Sequence, residues 1–141
     1  MREPVGLGSE YDFPTDVSRL TSNQLGTLRL QLSAWYSWTL KLLGDEESDI
    51  TAIETAYNMA LGVRMHEIAQ GYEKNKPVKE TLMALAIKSD DRLAVLTRTL
   101  TEKRMMVRRL AAQADVYKGQ LSDLSREQSR RENEQKAYGS G

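Results

Sequence analysis

From Leu93 to Leu124 the chain repeats alternating steps of three and four residues without a slip. The positions are Leu93, Leu96, Leu100, Lys103, Val107, Leu110, Ala114, Tyr117, Leu121 and Leu124. Such steps draw one stripe down an α-helix and do not fit a strand, whose faces alternate every second residue. Lys103 is the only polar insertion in the stripe. A stripe of this length is a coiled-coil seam and needs a facing surface, inside the chain or on another subunit. A helix over 91–131 would be about 60 Å long at about 1.5 Å per residue, more than a compact monomer of this mass needs. Leu93, Leu96, Leu100, Val107, Leu110, Tyr117, Leu121 and Leu124 are therefore the expected oligomerisation contacts. Periodicity alone leaves open whether they pair within or between subunits.

The rest of the sequence also reads as helix. Its three prolines stand at 4, 14 and 77, and no segment alternates with a period of two. Residues 1–20 hold two glycines and two prolines and are expected to form a flexible arm. Gly6-Leu7-Gly8 follows no strand and opens no helix, which argues against a phosphate loop. Thr21 and Gln24 have the spacing of a capping box, and Leu20 with Leu25 that of a hydrophobic staple. Leu25, Leu28, Leu32, Trp35, Thr39 and Leu42 then form one stripe.

Gly44, followed by Asp45-Glu46-Glu47, reads as a helix end and a new start. The expected helices are about 22–43, 46–72, 77–88 and 90–125, making one helical domain over 21–125. Ser89-Asp90-Asp91 fits a cap for the last helix, although an uninterrupted helix is compatible with the same residues. From Arg126 the apolar stripe stops, so 126–141 is expected to be a polar, disordered tail.

Composition removes several functions. With Cys 0 and His 1 there is no disulfide, no thiolate nucleophile and no motif that needs two histidines. His66, in mid-helix, reads as a surface or contact residue. No catalytic residue, metal site or cofactor is expected. No run of about 18 apolar residues exists, and the N-terminal sequence lacks an apolar signal core, so a cytoplasmic protein without a membrane partner is expected.

The formal charge is zero, but it is unevenly distributed. Residues 1–70 carry five bases against ten acids, and residues 71–141 carry fifteen against ten. Six bases lie between Arg92 and Arg109 with Glu102 as the one acid. Arg98, Lys103, Arg104, Arg108 and Arg109 form a candidate nucleic-acid-binding cluster, and Arg126, Arg130 and Arg131 form a second. Arginine suits this role because its planar fork pairs with phosphate and stacks on bases. The competing expectation is a solvated face, or pairing with acids of the N-terminal half. Trp35 fits the apolar stripe, whereas Trp38 falls off it and is placed to meet a partner or a base. The methionines read as adaptable packing.

The layout runs from a capped helix bearing Trp35, through a helix with Ile53-Glu54, Ala60-Leu61 and Arg64, to an Asp90-Asp91 cap and a long heptad helix. Over roughly residues 20–125 this resembles the UvsY-type recombination mediators of tailed phages. The resemblance implies an all-helical fold, rings of six or seven subunits and single-stranded-DNA binding. It also implies a recombinase and a single-strand-binding protein as partners, with the recombinase loaded onto DNA. Of the family's Lys-x-Arg pair only Arg64 is matched, in Gly62-Val63-Arg64. The expected function is thus a non-catalytic, homo-oligomeric recombination mediator. The alternative is a small-terminase-like DNA-packaging or scaffolding oligomer.

Overall fold

The structure, a computed structural model, describes residues 2–4 and 13–139. Gly6-Leu7-Gly8 and Ser140-Gly141 lie outside them. The described chain is all-helical: a 3-10 turn over Val17–Arg19, then α1 (Ser22–Gln70), α2 (Lys79–Ser89) and α3 (Asp91–Gly139). No strand occurs among the described residues. No described helix is long and apolar enough to cross a membrane.

The start of α1 is set by the capping box. Thr21 N–H donates to Gln24 Oε1 at 2.9 Å, and Gln24 N–H donates to Thr21 Oγ1 at 3.1 Å. Each bond satisfies a backbone donor that a helix start leaves unpaired. The break between α2 and α3 falls at Asp90, whose extended backbone stops α2. Its carboxylate then accepts from Arg92 N–H at 2.9 Å and opens α3. Between α1 and α2, Asn75 takes the left-handed conformation at φ 55, which asparagine tolerates better than most residues.

Two expected boundaries differ. Gly44 does not end a helix, because α1 continues through it to Gln70. A glycine inside a helix costs only about 0.5–1 kcal/mol. The stripe stays in phase across it, from Leu42 through Glu46 and Ile50 to Ile53 and Tyr57, in steps of three or four. The segment after Arg126 is helix to Gly139.

The chain forms two compact units. The first joins Met1–Leu43 with Arg109–Gly141. Its core packs Leu25, Leu28, Leu32 and Trp35 of α1 with Tyr117 and Leu124 of α3. Phe13, Val17 and Leu20 pack against that core, so this part of the expected arm is held in place. Leu32 and Leu124 are fully buried, each contributing about 1.5–3 kcal/mol relative to an exposed leucine. Thr39, also buried, donates its hydroxyl to the Trp35 carbonyl at 2.8 Å.

Beyond Leu124 the stripe of α3 continues in polar form, through Glu127 and then Arg131. Glu127 is 7% exposed. It accepts from Arg130 Nη2 at 2.7 Å and from Arg131 Nε at 2.8 Å. Arg131 also donates to the Leu20 carbonyl at 2.5 Å, tying the segment before α1 to the end of α3. These charge-assisted bonds give residues 126–131 fixed partners where a polar tail was expected.

The second unit is Gly44–Arg108. Its buried apolar side chains are Ala86, Leu93 and Leu100. In the first unit α1 supplies apolar side chains against Tyr117 and Leu124 of α3, so this part of the heptad stripe is covered inside the chain. Leu93 and Leu100 are buried in the second unit, Tyr117 and Leu124 in the first. Leu96, Val107, Leu110 and Leu121 are half-buried. Of the eight expected oligomerisation contacts, Leu93, Leu100, Tyr117 and Leu124 are thus buried within the chain, and the other four keep part of their surface exposed.

Candidate nucleic-acid interface

The nine candidate cations divide by what faces them. In the second unit, Lys103 sits at a stripe position, half-buried. Its ammonium donates to Asp49 Oδ2 at 3.0 Å and to Glu46 Oε2 at 3.1 Å. The bonds to Asp49 and then Glu46 raise its pKa above the ordinary lysine value. Arg104 pairs with Glu54 at 2.8 Å. Arg64 pairs with Glu67 at 3.1 Å, and its Nε donates to Ser89 Oγ at 3.2 Å. Arg98 and Arg108 are exposed and have no acidic or hydrogen-bonding partner among the described residues. Ten positions apart, they stand about 15 Å apart along α3 and on neighbouring flanks.

In the first unit, Arg130 and Arg131 share Glu127, and Arg130 also pairs with Glu134. The bonds from Arg130, and then Arg131, hold the Glu127 carboxyl down at about 2. Arg126 lies 3.8 Å from Asp123 and donates to Ser122 Oγ at 3.3 Å. Arg109 is exposed and unpaired among the described residues.

Six of the nine cations are thus neutralised in part by carboxylates of the same chain. Arg98, Arg108 and Arg109 keep an open guanidinium, able to give a phosphate two parallel hydrogen bonds. Lys118, which stands alone outside both sequence clusters, is a further exposed and unpaired cation. Sequence position drew attention away from it, although its place beside the buried Tyr117 on α3 marks it as outside the core.

Trp38 packs against the core of the first unit, and Lys41 lies over its ring at 5.3 Å. That cation occupies the face a base would stack on. The Trp35 indole Nε1, buried beside Thr39, has no hydrogen-bond partner. His66 Nε2 lies 3.0 Å from the Gln70 amide nitrogen, on the surface. Among the described residues no group of three or more His, Cys, Asp or Glu side chains is placed to hold a metal ion.

Comparison with protein-family models, with curated proteins and with solved structures returns no match.

Proposed function

We propose that this chain is a non-catalytic, self-associating protein that binds single-stranded DNA and acts as a recombination mediator, helping to load a strand-exchange recombinase. The observation that carries the reading is the set of open guanidiniums on α3: Arg98, Arg108 and Arg109 face no carboxylate among the described residues. Unpaired arginines on a helix surface attract phosphate and displace its counterions, without regard to base sequence. The recombinase, the single-strand-binding protein, the ring of six or seven and a cytoplasmic setting come with the UvsY resemblance alone.

A second reading, a scaffolding or DNA-packaging oligomer, is favoured by a different observation. Among the described residues, nine of the thirteen exposed large apolar side chains fall in the second unit, a bias that suits assembly.

Fluorescence anisotropy with labelled single- and double-stranded oligonucleotides separates the two. The mediator reading predicts tighter, salt-steep binding to the single strand. Preference for duplex favours packaging, and assembly without nucleic-acid affinity favours scaffolding.

A further inference from the structure

In the second unit, α1 presents Met59 and Val63 one turn apart and 68% and 60% exposed. They line a groove of about 420 Å³ with Ala56 and Ala60. We propose that this groove is a homotypic contact, occupied by the same groove of a second copy of this chain. The proposal gives the self-association in the reading above its surface. It rests on that reading for nothing else.

The rim argues for a second copy over a polyanion. It carries Arg64 and Arg92 beside Glu67 and Asp90, two cations and two anions. A net-neutral rim gives phosphate no attraction. Across a two-fold axis, where the same patch meets itself, a rim of both signs lets cations of one copy approach anions of the other without net repulsion. The helix surface leading into the groove is also short of charge. Between Ile50 and Val63 the only charged residue is Glu54, already paired with Arg104. Met59 was expected as packing, and a flexible thioether suits an adaptable contact.

The second unit, with Ala86, Leu93 and Leu100 as its buried apolar side chains, covers little apolar surface by itself and gains from the cover of a second copy.

The test is the mass of the full chain, without DNA, by light scattering at high micromolar concentration. Wild type is expected at a multiple of 16.0 kDa. Val63→Glu is expected to lower that mass while keeping the helical circular dichroism. A wild type that stays at 16.0 kDa overturns the proposal, as does a Val63→Glu that keeps the wild-type mass. If Val63→Glu loses helicity, cysteine crosslinking decides, because the natural chain has Cys 0. Met59→Cys should oxidise to a linked dimer faster than Leu30→Cys, a site 75% exposed in the other unit. Equal rates overturn the proposal. Because both assays omit DNA, a failure here leaves the DNA-binding reading standing, and loss of DNA binding leaves this contact standing.

Discussion

Lys103 Nζ lies 3.1 Å from Glu46 Oε2, joining the one polar residue between Leu93 and Leu124 in the stripe of α3 to a charged residue in the stripe of α1. Both side chains are about three-quarters covered, at 27% and 25% exposure, and Asp49 completes the cluster. A charged layer in an otherwise apolar seam disfavours shifted pairings, since a slip would leave the charges unmatched. Lys103→Ala should lower the melting temperature, because Glu46 and Asp49 then face each other without a cation. The double variant Glu46→Leu with Lys103→Leu should recover most of the loss. Thermal denaturation of both variants checks this, and an unchanged melting temperature in Lys103→Ala would remove the layer from the account.

The apolar core of the first unit rests on a few fully buried side chains. Leu32→Ala should destabilise by about 2–5 kcal/mol, as expected when a buried leucine leaves a cavity. Leu30, two residues away and 75% exposed, should change stability by no more than about 0.5 kcal/mol on the same substitution. Urea unfolding of the pair measures the contrast directly.

Acid should loosen the end of α3. The Glu127 carboxyl is held at about 2, against an ordinary 4.5. A lowered carboxylate pKa gives stability that is fully present above the unfolded value and lost as pH falls through the folded one. Between pH 4.5 and about 2, stability should therefore decline. Glu127→Gln should be less stable at neutral pH and show a flatter acid dependence over that window. Urea midpoints against pH test both.

Some of this was legible in the sequence. Thr21 with Gln24, Asp90 as the opener of α3 and the Leu93–Leu124 stripe depend on neighbours within a few residues, so local spacing identifies them. The continuity of α1 through Gly44 was hidden because Gly44 and the acids after it, Glu46 among them, have the pattern of a helix end and a new start. The meaning of Glu46 appears only beside Lys103, 57 positions away. The same applies to Glu127 and Arg131, which extend the stripe with charge. Periodicity also could not name the partner of the heptad seam, since an intrachain stripe and a second subunit demand the same pattern. Nor could it sort the arginines: the acid that neutralises Arg104 is Glu54, 50 positions earlier. Arg98, Arg108 and Arg109 stand out only once such pairs are known.

The central claim is that open arginines of α3 bind the phosphates of a single strand. The most direct measurement is the salt dependence of single-stranded-DNA affinity for wild type and for Arg98→Ala/Arg108→Ala/Arg109→Ala. Each phosphate contact on a single strand contributes about 0.7 to the slope of log K against log salt, so losing three should flatten it by about 2 per chain. The account predicts that flattening, with affinity reduced and helicity unchanged. A triple variant that binds as tightly and as salt-steeply as wild type would contradict it.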